Sequence, residues 1–186
     1  MASVIHQRFS VVQYDRMIDA GIIAEDEPVE LINGEIVRKM PIGKRHLATV
    51  NRLTQLLVNR LDSRAQVSTQ NPVVFEDSEP EPDISVLAWR DDFYASGKPR
   101  AEDVALLIEV ADASLEYDRD VKRPLYAQAH IADFWIVNLV SSVLEVHRDP
   151  QPDGSYASEQ SLASGDLVRP LAFPDLELRV DEMLGI

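Results

Sequence analysis

Two short apolar runs with a helical pattern between them constrain the fold more than any other feature of this sequence. Val104 to Ala111 is apolar with little alternation, and so is Phe134-Trp135-Ile136-Val137. Runs of this kind read as strands buried on both faces of a sheet. Residues 117 to 129, which separate them, carry the pattern of a helix. Strand, helix, strand predicts a crossover joining parallel neighbours. A chain of 186 residues is long enough to cover both faces of such a sheet, and one domain over residues 1 to 186 is expected.

The flanking segments fill in the architecture. Ser10 is placed to cap a short helix through about Ala20, with Val11, Tyr14 and Ile18 on one face and Gly21 as the stop. Val29 to Ile32 and Glu35 to Val37 flank Asn33-Gly34, a pair that tolerates the positive φ both hairpin turn positions require. After Gly43 an amphipathic helix runs to about Leu61. Its apolar stripe is Leu47, Val50, Leu53, Leu57 and Leu61, with Arg45, Arg52 and Asn59 opposite. Strands are expected at about 65 to 75 and 83 to 89, the second entered through the Glu79-Pro80-Glu81-Pro82 turn. Ser141-Ser142 turns the chain into Val143 to His147, and residues 150 to 154 form a loop. Strand-like pieces near Tyr156 and Leu176 finish an edge. The expected fold class is α/β (α+β), a mixed central sheet flanked by helices, with an N-terminal helix and β-hairpin.

Composition narrows the chemistry. There is no cysteine, so disulfides, thiolate metal sites and cysteine nucleophiles are excluded. No run approaches the roughly 18 apolar residues of a membrane helix, and the first eight residues lack a secretory pattern; a cytoplasmic location is the expectation. No Walker lysine in a glycine-rich loop, zinc-type histidine pair or Ser-His-Asp set is evident. The net charge of -14 repels phosphate at long range. Residues 36 to 64 nevertheless sum to +6, leaving -20 on the rest. That strip either holds a phosphate backbone or balances the acidic body.

Glu109 is the residue that does not belong where it stands. It lies inside Leu106-Leu107-Ile108-Glu109-Val110, where ionisation costs several kcal/mol unless a cation or hydrogen bonds compensate. Either it reaches solvent at the strand end, or it binds something. Asp83 opens a strand after Pro82 and could stand beside Glu109, a pair whose repulsion a hard cation relieves. A Pro-Asp turn explains Asp83 equally. Lys122 lies early in the following helix, either paired with Asp118 at i,i+4 or offering its ammonium to a phosphate. His46 opens the basic helix, and Tyr126 follows Lys122 by one turn. Each has a bland explanation as an exposed histidine and a core-edge tyrosine.

Taken in order, the motifs resemble one bacterial family of endonucleases, often called Uma-two. They are Glu30 to Ile36, His46, Glu81 to Val86, Ile108 to Asp112, Tyr117 to Tyr126 and Phe134 to Val137. The likeness runs from about Phe9 to Leu184. It implies a restriction-endonuclease-like fold of the PD-(D/E)XK superfamily. Pro82-Asp83 and Glu109 would supply metal-binding carboxylates, and Glu30 an additional acid. The superfamily's E-x-K would place lysine at position 111, where this chain has Ala111; Lys122 matches a lysine moved onto the next helix. His130 stands where glycine is common after that helix, and Asn33 where aspartate is frequent.

The expectation is therefore Mg²⁺-dependent (or Mn²⁺-dependent) phosphodiester hydrolysis, with DNA as the natural substrate. Asp83, Glu109 and Lys122 would form the catalytic core, Asp83, Glu109 and Glu30 would hold the metal, and His46, Arg45, Arg52 and Tyr126 would be candidate substrate contacts. Two alternatives remain: a non-catalytic module that homodimerises through sheet edges or the terminal hairpin, and a phosphoesterase of small nucleotides.

Overall fold

The computed structural model describes residues 7–24 and 26–186. The remaining N-terminal residues, on which the secretory reading partly rested, lie outside them. Among the described residues no helix is long and apolar enough to cross a membrane.

Ser10 caps α1 (Val11–Asp19) as expected, and its side chain and that of Gln13 bond each other's backbone N–H groups. The hairpin β1 (Val29–Ile32) and β2 (Glu35–Arg38) turns at Asn33 and Gly34, both with positive φ. Tyr14 of α1 packs with Ile23, Val29 and Leu31 beneath this hairpin.

The main sheet has the order β3-β4-β5-β6-β7-β8. Its strands are β3 (Gln66–Ser68), β4 (Ile84–Leu87), β5 (Val104–Ala111), β6 (Asp133–Asn138), β7 (Val143–Pro150) and β8 (Tyr156–Leu162). β5 and β6 run parallel and every other neighbouring pair antiparallel, so the crossover predicted from the two apolar runs is present. Both runs are buried on both faces. Leu106, Ile108 and Val110 face α2 (Lys44–Leu61), joining Val50, Leu53, Leu57 and Leu61 in one core. Leu107 and Ala111 face the other way, packing with Leu125 and Tyr126 of α4 (Arg123–Gln128). Alternation along β5 therefore aims Glu109 at the α4 side. A small sheet of β9 (Leu167–Val168) and β10 (Leu178–Arg179) leads into α5 (Val180–Leu184), which packs on α2.

Three expectations need correction. The strand expected over 65 to 75 is only β3; Gln70 turns left-handed and ends it, while Val73 and Phe75 stay buried in irregular chain. Leu47 belongs to the apolar period of α2 yet is 52% exposed, because the first turn of α2 directs His46 toward Asp83 and its apolar burial starts only at Thr49 and Val50. The helix over 117 to 129 is not regular. α3 (Leu115–Tyr117) passes into a π-helical turn, Asp118–Lys122, before α4. Arg123 donates to Asp118 O, one residue farther back than in an α-helix. Pro124 has no N–H to offer Asp120, which removes the α-register bond at this point.

Candidate active site

The parts of the site come from β1, the start of α2, the entrance to β4, the middle of β5 and the π-helical turn. Glu109 is 4% exposed, far from the solvent-reaching strand end that was the alternative. Its Oε2 accepts the backbone N–H of Asp83 at 3.2 Å, and its Oε1 accepts the Tyr126 hydroxyl at 2.5 Å. Lys122 stands over it, 3.2 Å from Glu109 Oε1 and 3.0 Å from Glu30 Oε2. All three are buried. Glu30 also accepts the N–H of Glu81 and faces the Tyr117 hydroxyl at 3.4 Å.

Asp83 sits at the head of β4, next to Glu109 on β5. Its Oδ2 accepts the N–H of Val110 at 2.9 Å and meets His46 Nε2 at 2.8 Å; its Oδ1 accepts Gln70 Nε2. Asp83, Glu109, Lys122 and Glu30, drawn from four separate segments, thus form one connected cluster. His46 joins it through Asp83 and is more than an exposed surface histidine.

Other candidates fall elsewhere. Tyr126 is fully buried behind Glu109, so it orients that carboxylate and does not line a cleft. Arg45 bonds Leu139 O and lies 3.6 Å from Asp112, at the carboxyl end of β5. Arg52 bonds Leu184 O and packs against Gly185, so it ties α2 to the C-terminal helix. The i,i+4 pairing of Lys122 with Asp118 does not occur. The π turn separates them, and Asp118 accepts the Ser114 hydroxyl at 2.7 Å. Asp118 itself, 4% exposed, is a fourth carboxylate of the site that sequence reasoning passed over. Its place four residues before Lys122 was the available signal. Gln70 was invisible, since only the turn it makes brings it to Asp83.

Charge is out of balance here. Burial pushes the Glu109 carboxyl up to about 8, with repulsion from Asp83 and Asp118 adding to it and Lys122 opposing it. Burial likewise pushes Asp118 up to about 6 against Ser114 and Lys122. Asp83 behaves oppositely: burial would raise it, but the hydrogen bond and charge of His46, the Val110 N–H and Gln70 outweigh burial and hold it below the usual carboxylate range. Burial disfavours the His46 imidazolium, yet Asp83 outweighs that and holds His46 above its ordinary value. Burial also disfavours the Lys122 ammonium, and Glu109 and Glu30 reverse it. His46 Nδ1 is buried without a partner among the described residues, an orphan that fits a water or a phosphate oxygen.

Four carboxylates around one lysine and one histidine leave excess negative charge, and hard oxygen donors of this kind suit Mg²⁺ or Mn²⁺. Among the described residues, however, no three His, Asp or Glu side chains are disposed to hold an ion as they stand. The Lys122 ammonium spans Glu30 and Glu109 instead. The residues fit the ion in charge and donor type; their present spacing is that of a lysine-bridged cluster.

The comparison with known proteins follows the same lines. The Uma2 family model, described as "Putative restriction endonuclease", matches residues 11–181. The chain belongs to this family. No curated protein matches it in sequence. Among solved structures, one from Anabaena variabilis, described as a "putative nuclease", aligns with a TM-score of 0.72 at 17% identity, covering 95% of this chain and 98% of that one. Identity that low establishes a shared fold for this Uma2-family chain, and the chemistry has to be argued from the site.

Proposed function

We propose that the protein is a metal-dependent endonuclease that hydrolyses phosphodiester bonds, with DNA as its substrate. The observation that carries the reading is the convergence of Asp83, Glu109, Glu30 and Lys122, from four segments, on one buried and over-negative point. Family membership supports it independently.

In this reading Asp83 and Glu109, helped by Glu30, hold Mg²⁺ or Mn²⁺. A divalent ion so held supplies Lewis acidity toward a phosphate oxygen and lowers the pKa of a bound water. The protein's own groups do the rest. Lys122 has three N–H donors; two face Glu109 and Glu30, and the third is available for a non-bridging phosphate oxygen. Tyr126 fixes the Glu109 rotamer, and the Val110 N–H and Gln70 fix Asp83. His46, whose proton affinity Asp83 raises, would add positive potential where a phosphate enters when it is protonated.

The test is incubation with supercoiled, linear and single-stranded DNA in Mg²⁺ or Mn²⁺, beside Asp83→Ala. Metal-dependent cleavage absent from the variant is the expected result. The lysine-bridged spacing favours one competing reading, a non-catalytic module in which Lys122 permanently replaces the ion. Absence of both cleavage and calorimetric Mg²⁺ binding would select that reading.

A further inference from the structure

A half-open groove of about 480 Å³ lies between the free edge of β3 and the loop of residues 89 to 99. Its strand wall is Gln66 to Thr69 with Asn71, and its loop wall includes Phe93, Tyr94 and Lys98, whose ammonium is taken up by Asp15 and Glu79. Residues 65 to 75 contain no charged side chain, in a chain where 27% of residues are charged. Thr69 and Asn71 of the groove flank Gln70, whose side chain bonds Asp83, so the groove lies beside the candidate active site.

The loop wall is built to hold aromatic rings outward. Phe93 is 67% exposed and Trp89 44%, and the rings meet edge to face at 5.6 Å. Phe93 and Tyr94 are consecutive left-handed residues, φ +51° and +63°, an unfavourable backbone for aromatic side chains. The loop over-determines that conformation. Asp92 accepts the N–H groups of Tyr94 and Ser96 and the Ser96 hydroxyl, Tyr94 donates to Ala88 O, and the Arg90 guanidinium lies over the Tyr94 ring at 4.6 Å. A fixed exposed ring beside an uncharged polar wall suits a flat, neutral, hydrogen-bonding partner. A phosphate backbone calls for cations instead.

We propose that this groove is a subsite for an unpaired nucleobase, which stacks on Phe93 while its edge meets the polar side of β3. The proposal rests on the nuclease reading and deepens it: the strand bound at Asp83 is single-stranded or locally opened nearby. Stacking on Phe93 is tolerant of base identity, because every base has a π face. Binding here also accounts for how so acidic a protein holds a polyanion, since base contacts do not depend on neutralising phosphates.

The experiment measures fluorescence anisotropy of a labelled oligothymidine and of a duplex of equal length, in Ca²⁺ and in EDTA. Wild type is compared with Phe93→Ala, Phe93→Asn and Phe93→Tyr. Asparagine keeps the left-handed backbone accessible without an aromatic ring, so a loss shared by alanine and asparagine reports stacking and not loop collapse. Single-strand affinity should fall about tenfold in both, stay near wild type in tyrosine, and leave duplex affinity unchanged. Trp89 fluorescence should be quenched by the single strand in wild type alone or with Phe93→Tyr. Equal losses on both substrates, no loss on the single strand, or no single-strand binding by wild type would overturn the proposal. So would a sedimentation change showing that Phe93 joins two copies of the chain while single-strand affinity is unaffected. Stacking-dependent binding without any metal-dependent cleavage would leave the subsite standing and remove the hydrolytic reading instead.

Discussion

Lys122 carries the energetic weight of the site. It is the ammonium that compensates Glu30 and Glu109, both nearly sealed from water. Lys122→Met would leave two buried carboxylates without a cation, and breaking a buried ion pair in this way costs about 3–5 kcal/mol. For a chain of this size the melting temperature should drop by roughly 6 to 20 °C. An unchanged melting temperature would mean that water or a proton already compensates the carboxylates. Acid–base linkage gives a second handle. Glu109 is raised from an ordinary 4.5 to about 8 and Asp118 from 3.8 to about 6. Over those intervals the folded protein keeps protons that the unfolded chain has released, so stability falls as pH rises. His46, also raised, adds to the same trend, whereas Asp83, lowered, contributes stability that is lost only in acid. The metal-free protein should therefore melt at a lower temperature at pH 8 than at pH 5, and Mg²⁺ should restore more at pH 8 than at pH 6. A flat profile from pH 5 to 8 would contradict the charge imbalance.

The π-helical turn is the element on which the geometry of the site depends. It widens the helix between Ser114, which holds Asp118, and Pro124, so that both Asp118 and Lys122 are buried at the site. Deleting the exposed Asp120 would let the turn close to α-register and shift Asp118 relative to Lys122 by one residue. DNA cleavage should be lost while the far-UV spectrum stays near wild type; full activity in the deletion variant would show that the turn is incidental. No sequence pattern announced this turn, since period-3.6 reading assumes a regular helix and Pro124 reads simply as an early helical proline. By contrast Asn33-Gly34, the two apolar runs and Ser10 stated their elements outright, because each depends on local backbone chemistry or burial alone. Glu109 was legible as an anomaly for the same reason. Asp83–His46 and Asp83–Gln70 were not, because side-chain pairs across 37 and 13 residues follow from tertiary packing and leave no periodic trace. Lys122 was named from its place early in the helix after Glu109, where pairing with Asp118 explained it equally, and the order of the family motifs then singled it out.

At the scale of the whole molecule most of the basic strip is paired off at the surface. Arg38, Lys39, Arg45, Arg60 and Arg64 all face carboxylates, of Glu27, Glu81, Asp112, Glu182 and Asp175 respectively. Of the two readings of the +6 segment, the structure favours counter-charge for an acidic body over a phosphate-binding track. Affinity for a random duplex should then be weak and only shallowly dependent on salt. A loss of less than about tenfold between 50 and 200 mM salt is expected, against the thousandfold or more of proteins with six or more phosphate contacts. A steep slope would restore the strip as a DNA-binding face. In the proposed reading, chemistry on DNA is consequently concentrated in the carboxylate–lysine cluster and its immediate rim.

The most direct measurement is the rate of supercoiled-plasmid cleavage by wild type, Asp83→Asn and Glu109→Gln in Mg²⁺ and in EDTA. Both substitutions keep side-chain shape while removing charge. The account predicts cleavage by wild type in Mg²⁺ only, with each variant slowed at least about 100-fold. Wild-type rates in either variant, or undiminished cleavage in EDTA, would contradict it.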